Sequence, residues 1–184
     1  MMERVPIRVV PSDPAWAVRF EEERVQLERL LAPWLSGGVH HIGSTAVPGL
    51  AAKPILDMMA GVADLAAAQP AIAVLERHGW THAPHRPEAY WFYRPRASVE
   101  YQHTHHLHLT QPGSPLWLER LAFRDALRAD RSLRDEYQAL KQHLADRHRD
   151  DGDAYTADKR AFVARVLASA GISLTPKPDP QARD

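Results

Sequence analysis

No cysteine occurs in the 184 residues, which excludes disulfides, thiolate zinc sites and cysteine nucleophiles. Lysine is scarce. Only Lys53, Lys141, Lys159 and Lys177 are present, and arginine supplies the rest of the 23 basic residues. The 23 acidic residues balance them, so the formal net charge is zero. No global field then draws the chain to nucleic acid or to an anionic membrane, and neither is expected as a partner. No run of about 18 apolar residues appears, so no bilayer span is read. The first residues, "MMERVPIRVVPSDPAW", lack the apolar run and small-residue cleavage site of a secretory signal. A cytoplasmic location is expected.

What is present suits a globular chain, with 45% hydrophobic and 25% charged residues. The length fits one domain with a real core, read as residues 1–172. Ser12-Asp13-Pro14 reads as a helix start, and Ala17, Phe20, Leu27, Leu31 and Trp34 recur at helical spacing until Gly37-Gly38. Val39 to Ile42 and Pro54 to Val62 read as buried strands, with a loop from Gly43 to Leu50 between them. Asp64 to His78 reads as a helix, with Pro70 as an early turn or kink. Trp80 to Thr110 reads as two or three strands, and Trp91, Phe92 and Trp117 as core aromatics. Three helices follow, from Ser114, Ser132 and Tyr155. Residues 173–184 carry three prolines and no apolar pattern, and read as a disordered, dispensable tail. The fold class is α/β (α+β), a mixed sheet with flanking helices and a helical C-terminal half.

The strongest local signal is "HIGSTAVPGLAAKPILDMM", His41 to Met59. A strand running into Gly43, Ser44 and Thr45 exposes backbone N–H groups beside two hydroxyls, a cradle for phosphate. Asp57 stands 13 positions after Ser44 in an apolar strand. A carboxylate there is costly without a metal or a strong donor. Lys53 lies close to it in sequence. The combination reads as a site for a metal-bound phosphate. Its structural alternative is a tight turn capped by Ser44, with Asp57 accepting backbone hydrogen bonds.

These residues resemble the GrpB family, placed in the nucleotidyltransferase-like fold of the DNA polymerase β superfamily. Further matches are "THHLHL", "LAFRDALRAD", "YQALKQHLA" and "YTADKRAF". The resemblance implies a Gly-Ser turn followed by two carboxylates one residue apart. Gly43, Ser44 and Asp57 fit, but Met59 holds the second carboxylate position and cannot ligate Mg²⁺.

His103, His105, His106 and His108 crowd the last strand. By alternation His106 and His108 share a face with Glu100, while His103 and His105 take the other. Glu100 or His108 could then replace the missing carboxylate beside Asp57, with Mg²⁺ or Mn²⁺ ahead of Zn²⁺ as the ion, and His106 or His108 could be the general base. "HLT", His108 to Thr110, also looks like half of a two-histidine phosphoesterase signature, without a convincing second half. Arg124 with Arg128, Tyr137 with Lys141, and Tyr155 with Lys159 are pairs four apart on helices. They read either as solvated faces or as phosphate-binding groups. The expected function is a metal-dependent nucleotidyltransferase-like enzyme acting on a nucleotide or phosphorylated small molecule. The alternative is a catalytically silent module that binds such a ligand.

Overall fold

The computed structural model describes residues 6–84, 86–95 and 103–176. Helix α1 (Ala15–Leu31) begins where Asp13 Oδ1 accepts the Ala15 backbone N–H at 2.9 Å. Its stripe of Trp16, Phe20, Leu27 and Leu31 recurs at helical spacing and is buried. Strand β1 (Leu35–Ile42), a 3₁₀ turn (Ser44–Ala46) and strand β2 (Leu56–Val62) follow. Then come α2 (Ala71–Glu76), β3 (Thr81–His82), β4 (Tyr90–Pro95) and β5 (His103–Thr110). The helical half consists of α3 (Pro115–Ala129), α4 (Arg131–Arg147), α5 (Gly152–Asp158) and α6 (Arg160–Ser169). Ser114 caps α3 by accepting the Trp117 N–H at 3.3 Å, and Asp130 caps α4 by accepting the Leu133 N–H at 3.0 Å.

The sheet order is β1-β2-β5-β4-β3, with β2 and β5 parallel and the other pairs antiparallel. This is the expected α/β class. One face is dry. Met58, Ala60, Leu107, Leu109 and Phe92 bury against Trp16, Phe20 and Leu75 of α1 and α2. The other face carries Asp57 and Met59 on β2 beside His106 and His108 on β5. Over it lies the helical half, with Trp117 packed on Ile42 and Met59. A separate helical core joins Leu127, Tyr137, Phe162 and Val166 to Val47 and Leu50 from the β1–β2 connection. That connection is thereby pinned between sheet and helices.

The structure departs from the sequence reading in four places. Gly37 and Gly38 do not end a helix but lie inside β1, where the register with β2 shifts between Leu35 and Val39. Gly61 makes room for this, because a side chain there would collide with the Ser36 carbonyl. The helix expected from Asp64 shortens to α2, with turns up to Pro70. The last helix breaks at Lys159 into α5 and α6.

The fourth departure is the tail. Thr175 N–H donates to Glu119 at 2.8 Å, Arg160 donates to the Thr175 carbonyl at 3.0 Å, and Arg86 to the Pro176 carbonyl at 3.3 Å. Residues 173–176 are therefore docked, by polar bonds that an apolar pattern does not reveal. Removing them would strip Glu119, which is 2% exposed, of its backbone donor. Residues 177–184 lie outside the described ones. Among the described residues no helix is long and apolar enough to cross a membrane.

Candidate functional site

At the end of β1, Ile42 pairs with Asp57 of β2. Gly43 then turns at φ 70° and ψ −172°, a conformation that side chains avoid. The space is equally strict: a Cβ there would stand 2.5 Å from Asp57 Oδ2 and 2.9 Å from Asp57 Cβ. Glycine thus lets the carboxylate lie against the turn. Asp57 is not sealed in the core, since its side chain is 33% exposed.

The two hydroxyls of the turn differ. Thr45 is buried, and its Oγ1 donates to the Ile55 carbonyl at 3.1 Å. With that proton committed, His41 Nε2–H must donate to Thr45 Oγ1 at 2.9 Å. The His41 ring stacks on Phe20 with centroids 4.7 Å apart. Burial pushes its pKa down to about 4, against the opposing pull of Asp57. Thr45 therefore ties the turn to β2 and is not turned towards a ligand, whereas Ser44 is half-buried and lies beside the Tyr137 hydroxyl.

The helical cations converge on this segment from α3 and α4. Arg124 donates to the His41 carbonyl at 3.1 Å and Arg128 to the Ala46 carbonyl at 2.9 Å. Lys141 donates to the Ala51 carbonyl and lies 5.0 Å from the Tyr137 ring centroid. Gln138 takes the Ala51 N–H at 2.9 Å. All three cations thus hold backbone oxygens.

Lys53 and Lys159 are placed differently, over the ring of buried Tyr155 at 5.4 and 4.1 Å. Burial lowers both ammonium pKa values. Lys159 falls to about 7, helped by neighbouring Lys53 and Arg120 and resisted by Asp57. Lys141 also falls to about 7 by burial. The phenols move the other way, Tyr155 to about 12 by burial and Tyr137 further up for the same cause. Among the described residues no carboxylate lies in ion-pair range of Lys53, Lys141 or Lys159.

On the sheet side, His106 of β5 pairs with Asp57 of β2, and its Nδ1 donates to Asp57 Oδ1 at 2.8 Å. Burial alone would raise the Asp57 pKa, but the hydrogen bond from His106 and the electrostatic pull of its surroundings, Arg120 among them, outweigh it and hold the carboxyl below its ordinary value. His103 was expected on the opposite face. Arg94 pairs with His105 but Pro95 with His103, so the extra residue Thr104 bulges and flips the alternation. His103 Nδ1 consequently meets His106 Nε2 at 2.9 Å. Tyr93 stacks on His103 with centroids 4.1 Å apart, and Trp91 packs on His106 at 5.3 Å. Of the aromatics read as core, Phe92 and Trp117 are buried there, whereas Trp91 belongs to this cluster. His108 is buried next to Trp91 and Met59 in register.

Two contributors escaped the sequence reading. One is His103, hidden by the bulge. The other is Arg120, whose charge acts on Asp57, Tyr137 and Lys159 together. Its three-residue offset from Phe123 and four-residue offset from Arg124 were the available signals.

A divalent ion would need several hard oxygens. Asp57 Oδ1 is already taken by His106, Met59 is sealed in a buried cluster, and Glu100 lies outside the described residues. Among the described residues no group of three or more His, Asp or Glu side chains is arranged to hold a metal. The donor set described does not fit a two-metal centre.

A mixed sheet with a Gly-Ser turn and a following strand aspartate under a helical half is the geometry expected from the motif. The GrpB protein family matches residues 6–169. The chain belongs to the GrpB family. A UPF0157 protein of Deinococcus radiodurans is 36% identical over 165 residues, covering 90% of this chain and 82% of that one. The chain spans 47% of the longer UPF0157 protein YqkA of Bacillus subtilis. It also matches a dephospho-CoA kinase of Mycolicibacterium paratuberculosis, 31% identical over 182 residues, covering 86% of this chain and 44% of that enzyme. The crystal structure of GrpB from Enterococcus faecalis superposes with a TM-score of 0.79 at 32% identity, covering 89% of this chain and 96% of that one. The Cid1 poly(U) polymerase superposes at TM-score 0.50 and 14% identity over 76% of this chain and 43% of that one, which shows a nucleotidyltransferase-like fold.

Proposed function

We propose that this GrpB-family chain binds a phosphorylated ligand, a nucleotide or a phosphorylated small molecule, in the cleft between the sheet and the helical half, and acts on its phosphate. One observation carries this reading. Lys53 and Lys159 flank Tyr155 without a carboxylate in ion-pair range among the described residues, and Lys159 is pushed to about 7. A buried ammonium without a counter-charge is costly, and an anionic ligand relieves that cost. Ser44 adds a hydroxyl beside Tyr137, which neighbours Tyr155, and Gly43 lets Asp57 lie against the same turn. The nucleotidyltransferase-like fold supports a nucleotide as the first ligand to test. The match to a dephospho-CoA kinase adds dephospho-coenzyme A as the second.

A silent binding module is the second reading, and Met59 favours it. The position of the second carboxylate is filled by a side chain with no exposure, packed on Ile42 and Trp117.

Thermal-shift titration tests the binding. ATP, GTP, CTP, UTP and dephospho-coenzyme A are compared with adenosine, each with Mg²⁺ and with EDTA. At least one phosphorylated ligand should raise Tm while adenosine does not, and Lys159→Met should abolish the rise. A Lys159→Met protein that responds like wild type would remove the lysine pair from the site.

A further inference from the structure

Asp57, His106 and His103 are joined end to end by two hydrogen bonds of 2.8 and 2.9 Å. Ionised Asp57 accepts, so His106 carries its proton on Nδ1. In the neutral form of His106 the lone pair is on Nε2, and His103 then donates to it through Nδ1–H. The chemistry leaves the lone pair of neutral His103 on Nε2. Three neighbours fix the rings. Tyr93 lies flat on His103 at an interplanar angle of 20°, Trp91 leans on both imidazoles, and the Thr104 bulge sets His103 on this face. A histidine strand that merely faced solvent would not need both tautomers fixed.

We propose that Asp57, His106 and His103 form a proton relay that takes the proton from a hydroxyl or water attacking a phosphoanhydride held by Lys53 and Lys159. This rests on the phosphate-binding reading above, and it supplies the general base that the absent second carboxylate leaves open. In the step, the acceptor oxygen forms a bond to phosphorus and its O–H bond breaks. That proton joins His103 Nε2 while the proton on His103 Nδ1 passes to His106 Nε2. The bond from phosphorus to the leaving phosphate oxygen breaks, and that oxygen keeps the electron pair against the lysine ammonium groups. His103 ends neutral with its proton moved from Nδ1 to Nε2. His106 ends as imidazolium against the Asp57 carboxylate. Charge thus settles where Asp57 can stabilise it. This explains how His103, itself pushed down to about 4 by burial with help from His106 and Lys53, can still serve. It does not have to retain the proton. His103 is the catalytic residue in this scheme; His106 and Asp57 are positioning residues that act through it.

Two measurements test the relay. Long-range ¹H–¹⁵N spectra of histidine-labelled protein at neutral pH should show His106 and His103 both protonated on Nδ1. A strongly downfield N–H signal from His106 should vanish in Asp57→Asn. A His103 protonated on Nε2 would overturn the proposal whether or not any ligand is known. The second measurement uses ATP, GTP, CTP and UTP with release of phosphate or pyrophosphate as the readout. His103→Phe keeps a ring for Tyr93 and removes both nitrogens. It should bind the nucleotide that shifts wild type within about twofold, and turn it over roughly 100-fold or more slowly, the usual worth of a positioned base. His103→Phe turning over at the wild-type rate, or a wild-type protein that binds nucleotide without any turnover, would refute the relay and leave the binding reading intact. No Tm response to any nucleotide or to dephospho-coenzyme A would sink the binding reading instead, and the relay would then be judged by the tautomers.

Discussion

Arg124, Arg128 and Lys141 each donate to a backbone carbonyl of the segment from the end of β1 to the start of β2, whereas Lys53 and Lys159 lie over the Tyr155 ring. The sequence reading left the four helical cations open between solvated faces and phosphate-binding groups, and set Lys53 beside Asp57. In the structure they divide by partner. The first three have fixed acceptors supplied by the fold, so they hold the turn in place. The other two lie over a ring with no carboxylate in ion-pair range among the described residues, which is why the binding proposal rests on them. A cationic cluster is therefore informative only once each cation's acceptor is known.

The largest effect is expected at Gly43, which lies between the carbonyls held by Arg124 and Arg128 and against Asp57. Gly43→Ala puts a methyl 2.5 Å from Asp57 Oδ2 at φ 70°. Strain and overpacking together should cost about 2–4 kcal/mol, and the downfield His106 signal should be lost with the carboxylate's placement. Chemical denaturation and the same NMR spectra check this. An unchanged midpoint and signal would mean that Asp57 is not held by the turn.

A pH titration reads the dry side of the same turn. His41 is 6% exposed, and its pKa is lowered from 6.5 to about 4. Between those values the unfolded chain binds a proton that the folded chain does not, so stability rises with pH across this window and is lost as pH falls. The shift corresponds to about 3 kcal/mol by pH 4. His41→Gln keeps a donor for Thr45 and should flatten that part of the curve. A variant with the wild-type slope would assign the acid sensitivity to another group.

The clamps come next. Lys141→Met and Arg128→Leu each leave a carbonyl of the turn without its donor, at a cost of about 1–3 kcal/mol. Ligand response should persist in both, at reduced Tm. A stable variant that has lost its ligand response would move that cation from the clamping set to the binding set.

How much of this was legible in the sequence depends on what each feature is made of. The buried stripe of α1, the cap Ser114, and the Gly-Ser turn with Asp57 are local, and periodicity or turn chemistry reveals them. The β1 register shift and the flipped His103 are not, because a bulge inverts alternation without leaving a periodic mark. The docked tail was missed because backbone bonds to Glu119, Arg160 and Arg86 hold it. The division of the cations was hidden for a similar reason: carbonyl acceptors belong to every residue and carry no sequence signature.

The smallest expected effect concerns protons and not stability. Lys159 sits near neutrality at about 7, lowered chiefly by burial. Above that value the folded protein holds it largely uncharged, while the unfolded chain keeps it protonated up to its ordinary 10.5. Stability without ligand therefore rises between those pH values, and Lys159→Met should leave Tm level or slightly raised. A phosphorylated ligand favours the charged ammonium. Binding at pH 8 should then draw in a proton, up to about one for each lysine that recharges, and affinity should weaken as pH rises past 7. Calorimetry of the responding ligand in two buffers of different ionisation enthalpy measures this uptake directly. Lys141 is also lowered to about 7, but it already has the Ala51 carbonyl, so its charge should change little on binding. Uptake that persists in Lys159→Met and disappears in Lys141→Met would reverse the assignment of the two sets; uptake lost only with Lys159 places the ligand's phosphate against the Tyr155 ring.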